Sequence, residues 1–216
     1  MFRNREDAGQ QLAERLLHLR DSNPFIFGLP RGGVVVAAQV AEALGATLDV
    51  MVVRKLGAPG RPELALGAIT VGDDPHLTLN QDLIDLISVS DEYLQMEMET
   101  QREEVKRRND RFRKGRPAAN VEGRTTIIVD DGIATGATVL AGIMGLKDRK
   151  PMRLILAVPV AAPDSLEKLS QYVDEVVCLY APTNFMSVGV FYGDFHQTTD
   201  DQVMELLERS RPAEKK

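Results

Sequence analysis

Residues Thr126 to Val139 read TIIVDDGIATGATV, and this stretch limits the folds open to the chain more than any other. Four β-prone residues run into two adjacent carboxylates. Gly132, a Thr135-Gly136 pair and Thr138 follow, and then a helical pattern begins. The string therefore encodes a strand, a charged strand end, a tight turn and a helix start. Asp130 and Asp131 cannot both sit inside a core, because burying unpaired charge costs several kcal/mol or more. They belong at the open end of the strand, where parallel sheets bind their ligands. The turn from Gly132 to Thr138 offers backbone N–H groups and hydroxyls at a helix N-terminus, which suits a phosphate. Carboxylates beside a phosphate cradle fit a phosphorylated sugar. They would accept hydrogen bonds from its hydroxyls or hold a hydrated Mg²⁺. An Asp-Asp-Gly triplet alone is common in βα turns; the full string from Ile127 to Thr138 is what points to a ligand.

The rest of the chain supplies a matching frame. Arg5 to Leu19 reads as an amphipathic helix with Ala8, Leu12, Leu16 and Leu19 on one stripe. Phe25 to Leu29 reads as a strand, and Val34 to Leu44 as a helix closed by Gly45. Leu48 to Arg54 is expected as one strand. Lys55 to Leu64, with Gly57, Pro59, Gly60 and Pro62, is expected as a mobile loop. A hairpin is expected from Leu66 to Val71 and His76 to Leu79, around Gly72 to Pro75. Gln81 to Ile87 reads as helical. Ser90 caps a long charged helix, Asp91 to Arg113. The motif strand Thr125 to Asp130 and a helix to about Lys147 come next. A strand Arg153–Val158, a helix Asp164–Gln171, a strand Val173–Leu179 and a helix Asp200–Arg209 complete the pattern. The runs FIFGL, VMVV, TIIV, LILAV and VVCL lack alternation, as strands covered on both faces do. Strands alternating with helices predict an α/β fold, a Rossmann-like parallel sheet flanked by helices. One domain is expected over 1–216, with an insertion at 72–117 and an aromatic-rich flap at 181–197.

Composition narrows the classes. The 216 residues suffice for one such domain, and 44% hydrophobic with 27% charged residues excludes a disordered chain. A net charge of −6 argues against a nucleic-acid binder. The basic run Lys106 to Arg116 follows Glu97, Glu99, Glu103 and Glu104 on the same helix. Acid first and base last complements the helix dipole, and pairs such as Glu103–Arg107 and Glu104–Arg108 give a solvated helix. The lone Cys178 forms no internal disulfide and is expected in a buried strand, as in a reducing cytoplasm. No membrane span or signal peptide is visible.

The string from Ile127 to Thr138 resembles the 5-phosphoribosyl-1-pyrophosphate (PRPP) binding motif of type I phosphoribosyltransferases: an apolar run, two acids, then x-x-x-T-G-x-T. The resemblance implies the fold of that family with a hood. It implies that Asp130 and Asp131 hold the ribose hydroxyls, and Mg²⁺ through water. Gly132, Ala134, Thr135, Gly136, Ala137 and Thr138 then hold the 5′-phosphate. The string Gly28-Leu29-Pro30-Arg31-Gly32-Gly33 resembles the family's pyrophosphate loop, which often carries a cis peptide, and assigns Arg31, Gly32 and Gly33 to pyrophosphate. Arg54 and Lys55, before Gly57-Ala58-Pro59-Gly60, resemble a second pyrophosphate contact ahead of a closing lid, with Glu63 in that lid. Near Pro182 to Phe195 the family often binds a nucleobase. Phe185 is the stacking candidate there, with packing as the alternative; Phe191, Tyr192 and Phe195 read as packing, and His196 as a surface residue.

The implied activity is transfer of a 5-phosphoribosyl group from PRPP to a nitrogenous base, by a homodimer with Mg²⁺. A PRPP- or nucleotide-sensing regulator on the same fold is the alternative, and an RNA-binding protein using Lys106 to Arg116 comes third. Enzymes of the family acting on 6-oxopurines usually carry an acid where this chain has Ala134. They also carry a Lys near the end of the next strand, where it has Ala157-Val158-Pro159-Val160. The resemblance therefore disfavours hypoxanthine and guanine as acceptor. The Ala-Thr-Gly form is closer to adenine- or uracil-type enzymes.

Overall fold

Five short apolar runs build one parallel sheet that organises the chain. A computed structural model describes residues 1–70, 76–114 and 119–210, with the side chains of 62, 63 and 76 left aside. The sheet contains β1 (Phe25–Gly28), β2 (Thr47–Val50), β6 (Thr125–Val129), β7 (Arg153–Val160) and β8 (Glu175–Tyr180), in the order β2-β1-β6-β7-β8. Phe25 aligns with Thr47 on one side and with Thr126 on the other, and Thr126 aligns with Leu154. Phe27, Ile128 and Leu156 pack with Val139, Ile143 and Leu169, from the helices α5 (Ala137–Lys147) and α6 (Pro163–Ser170). Ile26, Ile127 and Ile155 pack on the other face with Leu12, Val40 and Val203. Those residues come from α1 (Arg5–Leu16), α2 (Gly32–Leu44) and α7 (Asp200–Arg209). Both faces are covered, which explains the unalternating strands.

The chain leaves β1 through α2 toward β2 and leaves β6 through α5 toward β7, so the two helices cover opposite faces. The loops after the adjacent strands β1 and β6 therefore diverge. Such a switch point leaves a crevice at the carboxyl ends of the strands. The motif loop and the glycine loop after β1 are its two walls.

Two expectations are corrected. The stretch 48–54 is not one strand. The chain leaves the parallel sheet at Met51 and Val52, and β3 (Val53–Ala58) joins a separate antiparallel sheet with β4 (Arg61–Thr70) and β5 (His76–Leu79). The stretch 55–64 is not a loop. It forms most of the β3–β4 hairpin, which turns at Pro59-Gly60 with Gly60 at φ +66°. Register shifts at Leu56, Gly57 and Ala58 absorb the glycine. Burial of Leu56, Ala58, Leu66 and Ile69 against Met98, Val105 and Phe112 of α4 (Asp91–Arg113) outweighs the turn-forming composition. The β4–β5 hairpin is present as expected; its connection at 71–75 lies outside the described residues, as do 115–118 and the tail 211–216.

The other elements lie close to expectation. The first helix is shorter, ending at Leu16 before a 3₁₀ turn, Leu17–Ser22. The Ser90 side chain accepts from the Tyr93 N–H at the start of α4, after the short helix α3 (Gln81–Leu86). Within α4, Glu104 holds both Arg107 at 2.9 Å and Arg108 at 2.8 Å, rather than sharing them with Glu103. Cys178 is only half-buried, because β8 is the edge strand; its thiol is nonetheless pushed up by desolvation.

Ile127 is fully buried on the α1–α2 face. Ile127→Ala should cost about 2–5 kcal/mol of stability. Urea unfolding followed by circular dichroism checks this as a lower midpoint at unchanged slope.

Candidate functional site

The crevice floor is set by backbone approaching carboxylate. After Gly28 the chain runs through Leu29, whose N–H donates to the Val129 carbonyl at 2.9 Å. The Pro30–Arg31 peptide is cis, and Gly32 and Gly33 open α2. A Cβ on Gly32 would fall 1.9 Å from Asp131 Oδ2, and one on Gly33 would fall 2.8 Å from Asp130 Oδ1. Only glycine lets the α2 N-terminus press against both acids, and the positive end of that helix favours their charge.

Asp131 is held from several sides. Arg5 Nε donates to its Oδ2 at 2.7 Å, with the two side chains 11% and 16% exposed. The Tyr192 hydroxyl donates to its backbone carbonyl at 2.5 Å, and its own N–H donates to Asp130 Oδ1 at 2.9 Å. Arg5 itself lies over the Phe195 ring at 3.8 Å and donates to the His196 carbonyl at 2.8 Å. Asp130 keeps part of its surface open, but protein packs densely around its carboxyl. Desolvation, then the charge of Asp131, hold that carboxyl well above its ordinary value. Burial likewise pushes the Tyr192 hydroxyl up, so it stays protonated and donates. Neither Arg5 nor Tyr192 had a signal in the sequence: one reads as a helix-start cation, the other as flap packing.

The motif loop is pinned from behind. Ile133 N–H donates to Val160 at 2.9 Å, and Ser165 Oγ donates to the Ala134 carbonyl at 2.6 Å. Gly136, at φ +76°, is the residue from which α5 starts. Ala134 and Thr135 are exposed, and Gly132, Gly136, Ala137 and Thr138 half-buried. The first N–H groups of a helix have no acceptor within it and are offered to an anion. Beneath this loop a cleft of about 600 Å³ runs between α5, α6 and the hairpin sheet, with Thr135, Leu140, Met144 and Tyr172 among its walls.

The remaining candidates are more dispersed. Arg31 reaches Asp200 at 3.6 Å, and Arg111 shares that carboxylate at 2.9 Å. Arg54 and Lys55 stand on β3, beyond the sheet edge, and Arg54 Nε donates to Gln101 of α4 at 3.0 Å. Phe185 stacks on Phe191 at 5.7 Å in a satellite cluster with Phe2 and Tyr192. His196 is exposed beside Asp194. The Glu63 side chain lies outside the described residues. Structure thus joins Asp130, Asp131, Gly32, Gly33 and the motif loop, and leaves Arg54 and Phe185 engaged elsewhere.

Among the described residues no three His, Cys, Asp or Glu side chains gather as a metal cage. Two adjacent carboxylates suit Mg²⁺, which keeps its waters and is shared with substrate phosphates. Asp130 and Asp131 are the residues that would hold it.

Two outcomes follow from this geometry. A carboxyl raised in the folded state keeps its proton where the unfolded chain has lost it. Stability then falls as pH rises from about the ordinary value of 3.8 through the raised one. Asp130→Asn should remove that fall and raise the melting temperature at neutral pH in metal-free buffer. Glu104, lowered to about 2 by Arg107 and Arg108, acts oppositely: its contribution is present above 4.5 and is lost as pH falls toward 2. Melting temperature against pH for both proteins checks the signs. Gly32→Ala should force Asp131 and Arg5 apart and cost about 1–3 kcal/mol, read by chemical denaturation.

Known proteins resemble this chain over most of its length. The family described as Phosphoribosyl transferase domain matches residues 3–195. An inferred phosphoribosyl transferase of Mycobacterium tuberculosis is 45% identical over 210 residues, covering 97% of this chain and 47% of that protein. The chain thus spans about half the length of that curated relative. A uracil phosphoribosyltransferase of Desulfitobacterium hafniense is 37% identical over 57 residues, 26% of this chain and 27% of that protein. A crystal structure of a Thermus thermophilus protein superposes with a TM-score of 0.86 at 43% identity, covering 98% of this chain and 100% of that one. With the family match covering most of its length, this chain belongs to the phosphoribosyl transferase family.

Proposed function

We propose that the chain binds PRPP with Mg²⁺ in the crevice between β1 and β6 and transfers the 5-phosphoribosyl group to a nitrogenous base. The observation that carries this reading is the contact of the Gly32-Gly33 backbone with Asp130 and Asp131 beside the N-terminus of α5. Two anion-binding helix ends and a carboxylate pair converge there, matching a ligand with phosphate at one end, pyrophosphate at the other and hydroxyls between.

In the proposed reaction a base nitrogen attacks C1 of the sugar. The C1–oxygen bond to pyrophosphate breaks, and pyrophosphate leaves with the electron pair. The nitrogen sheds its proton to solvent. Positive charge develops on the sugar, and catalysis is positioning and electrostatics. Asp130 and Asp131 hold the ribose hydroxyls, and the ionised carboxylate of the pair favours that charge. Gly132 and the loop Ala134 to Thr138 hold the 5′-phosphate. Arg31, with the N–H groups of Gly32 and Gly33, receives the pyrophosphate. Arg54 and Lys55, on the packed strand β3, contribute positive charge toward the pyrophosphate. Bound Mg²⁺ would neutralise pyrophosphate charge. Ala134 offers no acid for a purine-ring proton, which directs the acceptor away from hypoxanthine and guanine. Phe185 stacks an acceptor only with the ring face that Phe191 leaves open. On this reading the protein is a cytoplasmic homodimer of nucleotide salvage.

The second reading is a PRPP-sensing regulator without turnover. It is favoured by the Arg5 ion pair, which occupies an oxygen of Asp131 that a catalytic carboxylate would offer.

Calorimetry with PRPP and Mg²⁺, followed by pyrophosphate release across a panel of purine and pyrimidine bases, separates the two. Binding with release under one base establishes the transferase and its acceptor. Binding without release under every base supports the sensor, and no binding sinks both. For the transferase, Asp131→Asn should lower turnover by roughly 10²–10³-fold while the circular dichroism spectrum persists.

A further inference from the structure

Arg5 opens α1, 126 residues before Asp131 in the chain, yet its guanidinium lies in the crevice wall. Three parts of it are engaged. Nε meets Asp131 Oδ2 at 2.7 Å, one terminal nitrogen meets the His196 carbonyl at 2.8 Å, and one planar face lies on Phe195 at 3.8 Å. The other cations paired near the chain ends are solvated: Arg3 is 80% and Arg209 72% exposed, against 11% for Arg5. The Gly32 Cβ position lies only 2.6 Å from Arg5 Nε, so the glycine loop leaves room for this side chain as well as for the carboxylate.

Resting on the PRPP reading of the site, we infer that Arg5 is the positioning residue of the sugar subsite, with Phe195 as its backing. Arg5 fixes one oxygen of Asp131, while Tyr192 and Asp130 fix the backbone on either side of that residue. The carboxylate is thereby held in one orientation, and its second oxygen meets the 2-hydroxyl of the ribose. A rigid acceptor for one hydroxyl discriminates strongly against a sugar that lacks it, because the site's polar group is then left unpaired. This gives the 192–196 segment a task different from nucleobase stacking: it anchors the arginine that reads the sugar through Asp131. A planar fork is required, because a lysine reaches the carboxylate as a point charge without the stacked face or the second fixed donor.

The test is calorimetry on the full chain with Mg²⁺ and three ligands: PRPP, ribose 5-phosphate and 2-deoxyribose 5-phosphate. The wild type should bind ribose 5-phosphate more tightly than its 2-deoxy analogue. Arg5→Gln should weaken PRPP by about 10- to 100-fold and collapse the ribose-over-deoxyribose preference toward one. The affinity for 2-deoxyribose 5-phosphate should stay, because the 5′-phosphate cradle is untouched. Arg5→Lys should fall between the two proteins. Where Arg5→Gln does not fold, Phe195→Leu carries the test: the residue is 37% exposed, and the same collapse is expected in weaker form. A folded Arg5→Gln or Phe195→Leu protein that keeps the wild-type sugar preference overturns the positioning role and leaves the PRPP reading standing. Wild-type protein that binds no PRPP overturns both.

Discussion

Two adjacent carboxylates at the end of a doubly buried strand set the terms for the rest of this structure. Val129 is fully buried, and the next residue carries charge, so the protein must meet Asp130 and Asp131 at the sheet edge with compensating groups. It does so with three different devices. The α2 N-terminus presents backbone and a positive helix end, made close by two glycines. Arg5 supplies a full charge to Asp131. Asp130 receives less compensation, and its carboxyl is held toward the neutral form. The pair is asymmetric because Arg5 bonds Asp131 directly and acts on Asp130 only through space, and this division follows from which elements converge there.

That convergence has a consequence for how the chain ends are organised. Phe2 N–H donates to the Phe191 carbonyl, and Gly193 and Asp194 N–H groups donate back to Phe2 and Arg3, each at 2.8 Å. This short exchange of backbone hydrogen bonds ties the start of the chain to the flap and delivers Arg5 and Phe195 to the same point. Asn4 then caps α1 by accepting from the Asp7 N–H, so the helix begins where its first side chain faces Asp131. The N-terminal segment is thus part of the candidate site as well as a cover for the sheet.

Much of the parallel layer could be read from the residues themselves. The strands after Ser22, Arg124 and Pro151 fall where unalternating apolar runs are bounded by turn residues. The motif loop and glycine loop face each other because adjacent strands carry them. What could not be read depends on partners distant in sequence. The stretch 55–64 carries two glycines and two prolines and looks like a loop; it forms a hairpin because α4 buries its apolar residues, and that contact leaves no mark in the local pattern. The exit of the chain at Met51-Val52 is hidden in a continuous apolar run, since both residues are buried whichever sheet they join. Arg5 escaped notice for the same reason: a cation at a helix start has an ordinary solvated role, and only the fold puts it against Asp131.

The arrangement of cations bears on how an anionic ligand would enter. Arg5 is committed to Asp131 in a site about one-tenth exposed, whereas Arg31 reaches Asp200 at 3.6 Å with side chains 37% and 25% exposed. A long, partly solvated pair of that kind contributes only about 0–1 kcal/mol. A phosphate group taking both guanidinium donors of Arg31 forms a stronger contact than the carboxylate it displaces. Asp200 is left with Arg111 at 2.9 Å, so the exchange strands no charge. On the proposed function, the two arginines therefore divide the work by burial: the enclosed one holds the sugar-reading acid in place, and the exposed one is free to change partners when pyrophosphate arrives.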